Sequence, residues 1–236
     1  MRRVAVAFSL IGALGVGACD MLPDSVSALL SRPQTAVSGA FKSGAFKGQL
    51  KVVFLEPKNA DDRNVQLLEP FGYKDSKGVD WDVPRGFVSD GASIPWSLWS
   101  FIGGPFDGPH RDAAIIHDYF CHTKSRKWED VHAMFLEAAL RRGVPETTAQ
   151  TMYAGILYGG PRWDAPNILQ RAQVVPSPGG RAPQSSDPGI TKRSPTVTEK
   201  QQLEELKRWI ETANPSQEEI KQRVEAMRKA EGKSSR

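Results

Sequence analysis

Three segments between Phe87 and Phe135 decide the fold: FVSDGASIPWSLWS at 87–100, RDAAIIHDYFCH at 111–122 after a Gly/Pro loop, and KWEDVHAMF at 127–135. Ala113, Ala114, Ile115, Ile116, Tyr119 and Phe120 make the segment that carries His117 and Asp118 apolar on most of a helical circumference. At least one of those two polar side chains is therefore expected inside the protein. A carboxylate buried without a partner is strongly destabilising, so the segment predicts a partner as well. On a wheel of about 100° per residue, Ala113, Ile116 and Phe120 define the inner face, with His117 at its edge and Asp118 about 160° from its centre, towards a neighbouring loop or helix tip.

A second helix is predicted at 127–142, with Val131, Met134, Phe135 and Ala138 as its inner stripe and Asp130 and His132 at opposite edges. The short connection CHTKSRKW makes the two helices neighbours. A third is predicted at 145–159, with Pro145 near its start and Gly159-Gly160 at its end. Upstream, QLKVVFL (49–55), VQLLEPFGY (65–73) and VDWDVPRGFV (79–88) alternate in part, as Val79, Trp81 and Val83 do against Asp80 and Asp82. They predict one small antiparallel sheet over residues 49–90. Such a sheet needs cover on its apolar face. Strands followed by helices give an α+β class.

At 236 residues and 39% hydrophobic content, the chain suits one core of ordinary size with appendages. Arg2, Arg3 and an apolar run from Val4 to Val16 have the form of a secretory signal, and the run is too short to span a membrane. Val16-Gly17-Ala18-Cys19 resembles a bacterial lipobox. The expectation is a signal peptide at 1–18, acylation of Cys19, and a membrane tether at 19–47. That places the protein on the extracytoplasmic face of a bacterial membrane, with Asp20 favouring the inner one. Acyl chains hold a protein there without a spanning segment, since each buried methylene contributes about 0.8 kcal/mol.

Loss of Arg2 and Arg3 takes the formal charge from +4 to +2. A nearly neutral chain without a basic stripe interleaved with aromatics argues against nucleic acid as a partner. With Cys19 lipidated, Cys121 has no cysteine to pair with. SGAFK occurs at 38–42 and again at 43–47, too few copies for a repeat fold; it reads as the start of a strand or as tether. The core domain is expected at 48–172, followed by a Pro/Gly/Ser linker at 173–197 and a charged helical hairpin at 198–231. Capping boxes are predicted at Thr198 with Gln201 and Ser216 with Glu219. The narrow stripes of Leu203, Leu206 and Ile210, and of Ile220, Val224 and Met227, suit a solvated tail or a surface for a protein partner.

Candidate chemistry centres on His117, Asp118 and Asp90, supported by Ser93 and Asp130. Asp90 ends the last strand, Gly91 permits a sharp turn, and Asp90 and Ser93 can bond to backbone amides within it. The functional alternative has Asp90 orienting His117 as a general base. His117, Asp118 and Asp130 are candidate ligands for a divalent metal. The pairs His117/Cys121 and Asp118/His122 also have the i,i+4 spacing that can share one.

FVSDGASIPWSLWSFIGGPF, AAIIHDYF, DVHAMF and MYAGILYGGPRW together resemble the bacterial and phage domain of unknown function number 1353, over about residues 47–165. The resemblance implies that Asp90, Ser93, Pro95, His117, Asp118 and Asp130 are signature positions, and it implies no activity. His-Asp-Tyr on a helix is also similar to secreted phospholipase A2, but that family's calcium loop and disulfides are missing. The pattern of His-Asp phosphohydrolases would need His110 and Asp130 at a different spacing. Two readings follow. One is an anchored lipoprotein whose His/Asp cluster is structural or binds a partner; the other is a cell-envelope hydrolase, phospholipase-like or peptidoglycan-directed. A sealed cluster favours the first and an open cleft the second.

Overall fold

The computed structural model describes residues 44–56, 64–91, 106–164 and 196–233. The expectations placed on the signal segment, Cys19, Ser93, Pro95 and the linker lie outside them. The chain separates into two units, Met1–Ala36 and Val37–Arg236, and every described residue belongs to the second.

Among the described residues six short strands precede five helices, which makes the class α+β. The strands are β1 (Ala45–Lys47), β2 (Val52–Phe54), β3 (Val65–Leu67), β4 (Phe71–Lys74), β5 (Asp80–Val83) and β6 (Val88–Ser89). They form two antiparallel sheets in place of the single sheet expected, with orders β1-β4-β5 and β2-β3-β6. The division is written in two prolines. Pro70 interrupts VQLLEPFGY between β3 and β4, and Pro84 interrupts VDWDVPRGFV between β5 and β6. Proline has no amide proton for the ladder, so each long segment breaks there and its halves join different sheets.

In the first sheet Phe46 faces Tyr73 and Tyr73 faces Trp81. Trp81 and Val83 are buried while Asp80 and Asp82 point to solvent, where both carboxylates lie 2.7 Å from Lys47 Nζ. The β4–β5 hairpin is pinned by Asp75. Its Oδ1 accepts from the amides of Lys77 and Val79 at 3.0 and 2.8 Å, and its Oδ2 from Trp81 Nε1 at 2.9 Å. β1 lies in the second SGAFK copy, so the sheet begins ahead of residue 48.

The helices are α1 (Arg111–Thr123), α2 (Trp128–Arg141), α3 (Glu146–Gly159), α4 (Val197–Ala213) and α5 (Gln217–Ala230). α1 is the cover the strands required. It packs on β5 and β6, with Phe120 edge-on to Trp81 at 5.0 Å and Tyr119 edge-on to Phe87 at 5.1 Å. α2 lies between α1 and α3. No helix among the described residues is long and apolar enough to cross a membrane.

The C-terminal hairpin is docked. α4 and α5 both pack on α3, and Leu203, Leu206, Ile210, Ile220 and Val224 are at most 3% exposed. Gln150 Nε2 donates to the Pro215 carbonyl at 3.0 Å, and Arg162 meets Glu225 at 2.7 Å. The reason is in α3, whose residues Ala149 to Tyr158 are all buried. A helix apolar all round needs cover on more than one face. The α5 cap is Ser216 with Glu219 as expected, whereas α4 is capped by Thr196 with Glu199, two residues earlier than predicted. Ile210→Ala is expected to cost about 3 kcal/mol in urea denaturation, the range for a buried Ile truncation. A loss below about 0.5 kcal/mol, the size of a surface substitution, would show that the hairpin does not dock in solution.

Candidate functional site

α1 carries His117 and Cys121 one turn apart, and α2 brings His132 against them. His117 Nε2 lies 2.9 Å from His132 Nδ1, with ring centroids 4.9 Å apart and planes inclined by 34°. Cys121 Sγ is 3.6 Å from both ring nitrogens of His117. Equal distances put the sulfur off the lone-pair axis of either nitrogen, which makes a weak hydrogen bond at best. One ligand atom from each of the three residues lies within 4.8 Å of the others. Phe135 stands edge-on to His117 at 5.5 Å, and Trp128 and Trp163 face His132 at 5.4 and 6.5 Å.

The cluster is sealed: His117 and His132 are 0% exposed and Cys121 is 2% exposed. Burial pushes His117 down to about 3. Burial is also the largest cause holding His132 well below the usual histidine range; His117 and Arg162 add to it, and the Pro161 backbone partly offsets it. Both imidazoles are thus neutral at pH 7. A neutral ring carries one N–H, so one ring donates to the other across the 2.9 Å contact. His132 Nε2 is buried and makes no hydrogen bond of standard geometry.

Asp118, 3% exposed, has the partner that its burial demanded. Ser89 Oγ at the end of β6 donates to Asp118 Oδ2 at 2.7 Å, and the Gly91 amide donates to Ser89 Oγ at 3.2 Å. The wheel reading of Asp118 as aimed at a neighbouring loop or helix tip fits this contact with the end of β6. Asp90 is half-buried beyond it. Asp130 is exposed in the first turn of α2, where a carboxylate favours the helix N-terminus. The carboxylate expected to orient His117 is replaced by a second imidazole, and burial alone sets the low pKa of His117. Among the described residues the metal-capable set is accordingly His117, Cys121 and His132, with Asp118 and Asp130 outside it. The His117/Cys121 spacing signals two of the three; the α2 pattern puts His132 at the edge of its inner stripe and names no partner for it.

A further buried polar centre had no signal in the sequence. Glu137 Oε1 accepts from Tyr73 Oη at 2.8 Å and the Ser76 amide at 2.7 Å, and its Oε2 from Ser76 Oγ at 2.7 Å. Burial and the Glu137 carboxylate raise the Tyr73 phenol far above its usual value. Gly44 passes so close that a Cβ there would overlap Tyr73 Oη and Glu137.

Residues 65–156 match the family described as Protein of unknown function (DUF1353). An uncharacterised protein of Sinorhizobium fredii is 41% identical over 148 residues, which are 61% of this chain and 43% of that protein. A second uncharacterised protein of that organism is 31% identical over 177 residues, 66% of this chain and 74% of its own length. The chain belongs to the DUF1353 family. It spans less than half of the first relative and about three quarters of the second. The DUF1353 match runs from β3 into α3, so it contains Ser89, His117, Asp118, Cys121, His132 and Glu137, while β1, β2 and the docked hairpin fall outside it. No solved structure matches the chain.

Proposed function

We propose that this is a lipid-anchored protein of the bacterial cell envelope whose DUF1353 domain is a non-catalytic module, with its buried His and Asp clusters setting the fold and its outer surface meeting a partner. The observation that carries the non-catalytic reading is the sealed His117–His132 pair. A general base works best with a pKa near the operating pH and within reach of its substrate's proton. His117, at about 3 and 0% exposed, meets neither condition. The anchor rests on Val16-Gly17-Ala18-Cys19 behind an apolar segment with two arginines.

In a bacterial host fed an alkyne fatty acid, the full chain is expected to take up label and partition with membranes. Cys19→Ala should abolish both. Label retained by the variant would remove the anchor. For the domain, His117→Ala is expected to lower stability by about 2 kcal/mol through a cavity and an unpaired His132. A variant that melts like the parent, alongside parental turnover of phospholipid or peptidoglycan that the variant loses, would establish the hydrolase reading instead.

A further inference from the structure

We propose that His117, Cys121 and His132 form a buried binding site for a single copper(I) ion. The inference concerns these three side chains alone and holds whether or not Cys19 carries an anchor. Three soft or borderline donors converge: a sulfur and two imidazoles that keep neutral lone pairs, with one ligand atom of each inside 4.8 Å. Metal–nitrogen and metal–sulfur bonds of about 2.0 and 2.3 Å around a planar three-coordinate ion imply S···N near 3.7 Å and N···N near 3.5 Å. The sulfur stands 3.6 Å from His117 Nε2 but off its lone-pair axis, so the ring must turn towards it, and the two imidazole nitrogens, at a proton-sharing 2.9 Å, must part by about half an ångström. A metal between the rings displaces the shared proton from one ring nitrogen to the other nitrogen of that ring.

Charge and coordination number choose copper(I) over zinc(II). Thiolate and imidazole donors suit both ions. One thiolate leaves a zinc complex at +1 and a copper(I) complex neutral, and a net charge is costly in a dry setting of Phe135, Trp128 and Trp163. Zinc also takes four ligands, with water as the fourth when the protein gives three. These three are 0–2% exposed, and among the described residues no further His, Cys, Asp or Glu joins the set. Binding balances simply: copper(I) enters, the Cys121 thiol loses its proton to solvent, the bonds formed are one Cu–S and two Cu–N, and no electron is transferred.

The test uses the full chain, refolded anaerobically with copper(I) so that the sealed core can load, and challenged with bicinchoninate. The parent is expected to retain one copper per chain, with one sulfur and two nitrogens in its X-ray absorption spectrum and a melting temperature above that of the metal-free protein. Cys121→Ser should bind at least 100-fold more weakly while keeping the parent's circular dichroism, His132→Gln should behave alike, and Cys19→Ser should bind as the parent does. Folded parent that loses all copper to bicinchoninate would overturn the site, as would retention by Cys121→Ser. Zinc(II) held at these residues when both ions are offered would overturn the choice of copper.

Discussion

Glu137→Ala is expected to destabilise the protein by about 3 to 5 kcal/mol, among the larger effects a single substitution can have here. Glu137 is 6% exposed and accepts three hydrogen bonds from two residues of the β4–β5 hairpin, so one α2 side chain fixes that hairpin against the helices. Bonds to a charged acceptor contribute about 1.5 to 3 kcal/mol each, and they do not add fully because they share one carboxylate. Alanine also strands the Tyr73 hydroxyl on a residue that is 0% exposed, behind Gly44, where the backbone is too close for a larger residue to fill the gap. Glu137→Gln keeps the shape and one acceptor oxygen, and should lose about 1 to 2 kcal/mol. Urea denaturation with an unchanged slope checks the pair. A loss below about 1 kcal/mol for the alanine variant would mean that the hairpin finds other partners or is hydrated there.

The Glu137 centre shows where the sequence stops being legible. The helices α1 to α3 were readable within about a residue because apolar spacing, Pro145 and Gly159-Gly160 are local signals. The strands were readable as strands. Their division into two sheets needed Pro70 and Pro84 to be read as breaks in the ladder and not as interruptions inside a strand. Nothing local marks Glu137, since a glutamate on a helix is ordinary until a hairpin 61 residues away supplies Ser76. The same holds for the site. Burial of His117 and a partner for Asp118 followed from the apolar character of α1, a property of contiguous residues. The identity of the partners did not, because Ser89 and His132 come from other elements and only the packing of α1 against β6 and α2 selects them. The docked hairpin belongs to the same class: its stripes were visible, but their acceptor is the second apolar face of α3.

Acid should unfold the metal-free protein through the histidine pair, and the sign follows from burial. An unfolded histidine titrates near 6.5, whereas folded His117 takes a proton only at about 3. Its contribution is therefore fully present above pH 6.5 and is lost as pH falls from there towards 3, because over that window the unfolded chain binds a proton that the native one excludes. The slope is about 1 kcal/mol per pH unit, which accumulates to the order of 5 kcal/mol by pH 3, comparable with the whole stability of many domains. His132, lowered for the same first reason, acts in the same direction. Carboxylates also titrate below about pH 5, so the diagnostic interval is pH 6.5 to 5. There the chelator-treated parent should lose about 2 kcal/mol from His117 alone, and a His117→Leu, His132→Leu double variant should show a much flatter profile. Equal slopes in parent and variant would mean that the rings meet water in solution. That outcome would withdraw the main argument against general-base chemistry, since a hydrated imidazole near its ordinary pKa is what a hydrolase would use. A steep parental slope abolished in the variant keeps the pair sealed and neutral, the state from which both the non-catalytic reading and the copper site are argued.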